Sequence, residues 1–236
     1  MSVVTGADRH SVAVLPADAL IFDFDGVLLE SEYAGNAQIA RYLTAIGHPH
    51  TPEEAMTHYM GLAGADFVAA IERRIGRPLP HDFHAARAEE DARVLAEGLD
   101  PVAGAIAFVR ALPADLPRAI ASSSSSAWIE THLDHLGLRA DFGSMVFSGR
   151  EHVARGKPAP DVYLHAARAL GVRIDRCTII EDSPVGATGA VASGASVIGL
   201  CAGRHCPPGH AETLRAIGVD AVAGDFASVA RLIGIG

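Results

Sequence analysis

Two aspartates stand two residues apart in Asp23-Phe24-Asp25-Gly26, where an apolar run stops in acid and glycine. Along a continuing strand, side chains at this spacing share a face; in a turn, one can be aimed at a substrate and the other at its leaving group. A polar strand exit gives the same pattern. A second acidic pair, Glu181-Asp182, follows the apolar Cys177-Thr178-Ile179-Ile180. Adjacent carboxylates at a buried strand end repel unless a cation or donor compensates them, and oxygen-rich clusters suit magnesium. Lys157 is the single lysine among 19 basic residues and lies in Gly156-Lys157-Pro158-Ala159-Pro160-Asp161. The prolines stiffen the backbone around it, and the choice of Lys in an arginine-rich chain points to a compact ammonium; a solvated surface lysine is the ordinary alternative. Ser122 follows Ala119-Ile120-Ala121, where its hydroxyl and nearby N–H groups suit a phosphate oxygen, while the serine run from Ser123 to Ser126 suits a loop and helix cap before Trp128. Ser183-Pro184 has the form of an N-cap followed by a first helical proline.

Each of these groups stands at or beside the end of an apolar segment. Strands are expected over 19–24, 118–122, 145–147, 177–181 and 195–199, with helices over 127–136, 161–170, 184–193 and 211–217. The alternation implies an α/β fold with a doubly wound parallel sheet, in which ligands bind beyond the carboxyl ends of the strands. Between 31 and 100 no strand is expected. That interval reads as helices over 33–46, 52–59, 65–75 and 82–97, with Ile39, Leu43 and Ile46 at helical spacing as packing residues. The simplest organisation is a core of residues 1–30 and 101–236 with an inserted all-helical cap domain, residues 31–100. Gly186, Gly189 and Gly194 form no dinucleotide fingerprint.

The chain has 236 residues, 49% of them hydrophobic, and a formal charge of −9. A broad basic surface for nucleic acid or anionic lipid is not expected, although one local anion site is compatible with that charge. No stretch is long and apolar enough to span a bilayer, and the first residues lack the pattern of a secretory signal, so a cytoplasmic protein is expected. Three cysteines, Cys177, Cys201 and Cys206, make no disulfide framework. Cys201, His205, Cys206 and His210 offer soft ligands within ten residues. Their spacing does not match a paired-cysteine zinc site, and Pro207-Pro208-Gly209 reads as a turn, so zinc is not expected there. The remaining histidines are expected in ordinary solvent or structural roles.

In order, Asp23-Phe24-Asp25-Gly26-Val27, Ser122, Lys157 and Glu181-Asp182 resemble the four motifs of the haloacid dehalogenase superfamily, over nearly the whole chain. The phrases around Lys157 and Glu181 are similar to those of sugar-phosphate phosphatases and β-phosphoglucomutase. The resemblance implies a Rossmann-like core with a helical cap, and an Asp23 that attacks phosphorus to form an aspartyl phosphate. It implies that Asp25 protonates the leaving oxygen and then takes a proton from water. Mg2+ would be held by Asp23, the backbone carbonyl of Asp25, Asp182, and Glu181 directly or through water. Ser122, Ser123 and Lys157 would bind the phosphate. Glu32, Tyr33, Asn36 and the turn from Gly61 to Gly64 are the cap candidates for substrate contact; helix initiation by Glu32 and a plain turn at Gly61 and Gly64 are the alternatives.

The expected function is magnesium-dependent hydrolysis of a small phosphorylated metabolite, with a phosphomutase as the alternative. A dehalogenase is disfavoured because its family pattern does not require the second acid matching Asp25, and an idle binding module because every core group is retained. The partner is that small metabolite, and a monomer is compatible with the reading. In β-phosphoglucomutase the tasks of gripping the distal phosphate and of making the second acid available only when sugar is bound fall partly to a His shortly after the first motif and an Arg in the cap turn. By spacing, those positions here are Gly35 and Gly64.

Overall fold

The structure, a computed structural model, describes residues 14–235 apart from Gly61 and Ala63. Along the chain run β1 (Ala19–Phe22), α1 (Ser31–Ala45), α2 (Pro52–Tyr59), α3 (Gly64–Ile75), α4 (Phe83–Glu97), α5 (Ala105–Ala111) and β2 (Arg118–Ser122). They are followed by α6 (Ser126–Leu136), α7 (Arg139–Phe142), β3 (Val146–Ser148), α8 (Asp161–Leu170) and β4 (Cys177–Glu181). The chain continues with α9 (Pro184–Ser193), β5 (Ser196–Leu200), α10 (His210–Ile217), β6 (Ala221–Ala223) and α11 (Phe226–Leu232).

All strand pairs are parallel, in the order β3-β2-β1-β4-β5-β6. Short apolar strands are stable here because both faces are covered and their residues alternate between two cores. Leu20, Phe22, Ile120, Ile180 and Ile198 pack on one face with Phe108, Ile129, Leu133, Phe226 and Val229. Ile21, Ala119, Ala121, Ile179 and Val197 pack on the other with Tyr163, Ala166 and Ala190. Each fully buried large aliphatic or Phe side chain contributes about 1.5–3 kcal/mol. The sheet's winding reverses at β1, so the crevice beyond β1 and β4 is the expected ligand position. Register makes the strand exits level: Phe22 aligns with both Ile120 and Ile180, which brings Asp23 beside Glu181. The Asp23 N–H donates to the Ile180 carbonyl at 2.9 Å.

Helices α1 to α4 gather a separate apolar cluster from Ile39, Ala40, Leu43, Ala55, Tyr59, Ile71 and Phe83. The chain enters and leaves this segment side by side: the Glu30 N–H donates to the Asp100 carbonyl at 3.0 Å, and Leu29 bridges Pro101. A Thr51–Glu54 capping box starts α2.

Some boundaries differ from the sequence reading. β1 stops at Phe22 because the Phe24 carbonyl already accepts from the Leu28 and Leu29 N–H groups in a turn. α1 begins at Ser31 and ends at Ala45, leaving Ile46 as its C-cap. Gly64 opens α3, so the turn expected through Gly64 is shorter, while Gly61 lies outside the described residues. β6, α5, α7 and α11 were not marked by pattern; each spans at most seven residues. Among the described residues no helix is long and apolar enough to cross a membrane.

Candidate active site

The turn after β1 is tight because Gly26 takes φ +81°, and a Cβ there would lie 2.1 Å from Asp182 Oδ2. Glycine therefore lets the first and last acidic motifs close on each other. Lys157 reaches this junction from the loop before α8 and is buried. Its Nζ lies 2.7 Å from Asp23 Oδ1 and 2.8 Å from Glu181 Oε1, and 5.0 Å above the Tyr163 ring.

Both oxygens of Glu181 are engaged. Oε1 also accepts from the Tyr163 hydroxyl at 3.2 Å, and Oε2 accepts from the Ser183 N–H at 2.7 Å and its hydroxyl at 3.1 Å. Ser183 is the N-cap of α9, accepting from the Gly186 N–H at 3.0 Å, with Pro184 next. Any side chain at Gly186 would collide with Glu181, since a Cβ would sit 1.5 Å from Oε1.

Asp182 is bound differently. Its Oδ2 lies 2.7 Å from His205 Nε2, its backbone carbonyl lies 2.6 Å from His210 Nε2, and Oδ1 has no partner among the described residues. Asp23, Glu181 and Asp182 can present oxygens within 4.8 Å of one another. Burial pushes the carboxyls of Asp23 and Asp182 well above the usual aspartate range, and neighbouring carboxylates add to it although Lys157 opposes it. For Lys157, burial disfavours the ammonium, yet Asp23 and Glu181 outweigh it and raise its pKa. Three carboxylates around one ammonium leave a charge excess that a divalent cation matches, and the free Asp182 Oδ1 is an available oxygen ligand. The donor set therefore fits Mg2+.

Asp25 faces away from that trio. Oδ1 accepts from the Ser31 hydroxyl at 2.6 Å and the Trp128 indole N–H at 3.1 Å; Oδ2 accepts from the hydroxyls of Ser124 at 2.6 Å and Ser122 at 3.3 Å. Ser122 is buried and also accepts from the Ser124 N–H at 3.0 Å, while Ser123 is open to the cavity. Ser125 is the N-cap of α6, as a serine-rich helix start suggests, whereas Ser124 was assigned to the same loop and instead holds Asp25.

A cavity of about 550 Å³ opens over these groups, lined also by Glu32, Arg150, His205 and His210. A second, of about 420 Å³, shares Ser31, Glu32 and Met60 with it and extends to Gly35, Asn36 and Arg87. Glu32, an exposed residue in the first turn of α1, borders both cavities; desolvation on the cavity side, helped by Asp25, raises its carboxyl pKa. Asn36 donates to the Glu32 carbonyl at 2.8 Å and borders only the second cavity. Tyr33 lies under the Arg204 guanidinium at 3.5 Å, outside both cavity linings.

His205 and His210, which the sequence offers as soft ligands beside Cys201 and Cys206, are instead both buried against Asp182. Cys206 Sγ lies 3.6 Å from His205 Nε2, but the ring's short contact is to the carboxylate. Ser31, Ser124, Trp128, Tyr163, His205 and His210 are among the residues around the acidic groups to which the sequence reading gave no such place. The single tryptophan and the His-rich loop after β5 were the available signals.

Comparison with known proteins shows the family. Residues 17–194 match the haloacid dehalogenase-like hydrolase family. The chain is 28% identical to the Escherichia coli 6-phosphogluconate phosphatase over 193 residues, covering 81% of this chain and 86% of that protein. It is 31% identical to E. coli hexitol phosphatase A, over 79% of this chain and 84% of that one. A HAD family hydrolase from Deinococcus radiodurans, solved with bound phosphate and sodium, superposes with a TM-score of 0.83 at 31% identity, covering 94% of this chain and 97% of its own. With three-quarters of its length matched and its acidic strand exits assembled around a buried lysine, the chain belongs to the haloacid dehalogenase-like hydrolases.

Proposed function

We propose that the protein is a magnesium-dependent phosphatase of small phosphate monoesters, such as sugar phosphates, in which Asp23 attacks phosphorus. The observation that carries this reading is the buried Asp23 carboxylate, 2.7 Å from the Lys157 ammonium and beside Asp182 with its free Oδ1. The phosphatase names of the two E. coli relatives favour the same chemistry. Asp23 and Asp182 would hold Mg2+, with the backbone carbonyl of Asp25; Glu181, whose oxygens already hold donors, would act through water. Bound there, Mg2+ supplies positive charge that offsets the repulsion between an anionic nucleophile and a phosphate dianion.

The chain's own groups do the rest. Lys157 neutralises charge on the transferring group, and Ser122 and Ser123 offer donors to its oxygens. Asp23 forms the new P–O bond as the P–O bond to the leaving alcohol breaks, and Asp25 gives that alcohol its proton. Asp25 then takes a proton from the water that cleaves the aspartyl phosphate. Residues 31–100 serve as the cap over a core of 1–30 and 101–236, its two crossings lying together at Glu30 and Asp100. Ser31, at the start of α1, bonds Asp25, which ties the acid to the position of this segment. The cavity along Glu32 and Asn36 takes the alcohol part of the ester, with Gly61 and Gly64 as further cap candidates. The compartment proposed is the cytoplasm.

Hydrolysis is favoured over mutase action by Gly35, which borders the second cavity with nothing within 4 Å of a Cβ position. A mutase has to deliver its phosphoryl group to a second sugar hydroxyl ahead of water, which requires side chains gripping the distal phosphate. Incubation with β-glucose 1-phosphate, Mg2+ and a trace of glucose 1,6-bisphosphate should yield free phosphate with little glucose 6-phosphate, or no turnover of this sugar. Rapid isomerisation with little phosphate release would overturn the hydrolase reading. A parallel screen of sugar phosphates, polyol phosphates and phosphorylated sugar acids then ranks the substrates.

A further inference from the structure

The loop after β5 carries His205, and His210 opens α10; both converge on one residue of the site. His205 is buried with Nε2 at 2.7 Å from Asp182 Oδ2, and His210 is buried with Nε2 at 2.6 Å from the Asp182 carbonyl. The His205 ring is wedged where glycine alone fits: a Cβ on Gly26 would lie 2.9 Å from its Cε1, and one on Gly203 2.4 Å. The second oxygen of Asp182, Oδ1, is left without a partner among the described residues.

We propose that His205 is a positioning residue for the metal ligand, its Nε2–H holding Asp182 Oδ2 so that Oδ1 faces the cation. The inference rests on Asp182 being a Mg2+ ligand. A carboxylate that ligates a cation is ionised and only accepts hydrogen bonds, so in the Mg2+-bound state the nitrogen facing it must carry the proton; a carbonyl likewise only accepts, which makes His210 a donor to it. Carboxylate rotation is soft and roughly two-fold, and one buried donor on one oxygen removes that freedom. Nδ1 has no partner among the described residues, so Asp182 itself selects the tautomer. Partners that orient metal ligands in this way typically account for about 10-fold to 100-fold in metal affinity.

The experiment titrates Mg2+ alone into the full-length protein, followed by calorimetry and by the fluorescence of Trp128, the single tryptophan, whose indole donates to Asp25. His205→Leu keeps volume without the donor; His205→Gln keeps an amide donor of similar reach. The Leu variant should bind Mg2+ about 10-fold to 100-fold more weakly, and the Gln variant should recover most of that loss. Saturating Mg2+ should return much of the Leu variant's kcat, with KM for the phosphate ester little changed. Should Leu fail to fold by circular dichroism, His205→Asn, whose shorter amide does not reach Asp182, takes its place. Wild-type affinity in Leu or Asn, or equal weakening in Leu and Gln, overturns the positioning role. Absence of Mg2+ binding by the wild-type protein overturns the metal reading itself, and the inference with it.

Discussion

Asp23→Asn should give a folded protein whose Mg2+-supported phosphatase activity is lower by on the order of 10,000-fold or more, the scale seen when a covalent nucleophile is removed. The amide is nearly isosteric with the carboxylate but is a poor nucleophile toward phosphorus and a weak metal ligand. Lys157 keeps one of its two carboxylate partners, Glu181, so the buried ammonium is not stranded. The pH dependence of stability supplies a second signature. Asp23's carboxyl pKa is raised by folding, so the metal-free wild-type chain loses stability as pH rises from the ordinary aspartate value toward the raised folded one. Asparagine removes that contribution. The metal-free variant should therefore match or exceed the wild type in Tm near neutrality, and Mg2+ should raise its Tm less. Circular dichroism, thermal melts and initial rates across Mg2+ concentrations check each part. Turnover near the original rate by the folded variant would remove Asp23 from the chemistry.

Lys157→Met should reduce kcat/KM by about 100-fold to 1000-fold, the range associated with losing one donor to charge developing in a transition state. The side chain lies between Asp23, Glu181 and the Tyr163 ring at the edge of the cavity, where an apolar Met leaves both carboxylates without their cation. Removing one member of a buried charge pair typically costs about 3–5 kcal/mol, so the variant's metal-free Tm should also fall. Added Mg2+ should restore part of that stability but not the rate. Lys157→Arg should recover only a fraction of the activity, because a planar fork cannot sit at both 2.7 and 2.8 Å contacts within the same enclosure. Met at this position with unimpaired kcat/KM would contradict the role assigned to the single lysine.

The residues legible in the sequence were those whose chemistry conflicts with their surroundings. Asp23, Ser122 and Glu181-Asp182 stand at the ends of apolar strands, and the parallel register made those ends level. Lys157 was legible through composition. What escaped were contacts between distant segments: Ser124 and Trp128 lie 99 and 103 residues from the Asp25 they hold. Neither a serine run nor one tryptophan says which carboxylate it meets. His205 and His210 escaped because they were weighed as soft metal ligands among themselves, whereas the loop folds back on Asp182, 28 residues from His210. The three-residue β6 lacks the length for a pattern, since its pairing with β5 defines it.

The most direct test is to trap the phosphoenzyme. Asp25→Asn removes the base for hydrolysis, and acetyl phosphate, whose leaving group needs no acid, can still phosphorylate the nucleophile. After rapid acid quench with Mg2+ present, borohydride reduction converts an aspartyl phosphate to homoserine, which peptide mass spectrometry locates. Attack by Asp23 predicts that the reduced residue is Asp23 alone, and that omitting Mg2+ abolishes it. Reduction at another carboxylate, or none despite Mg2+-dependent phosphate release, would contradict the proposed mechanism.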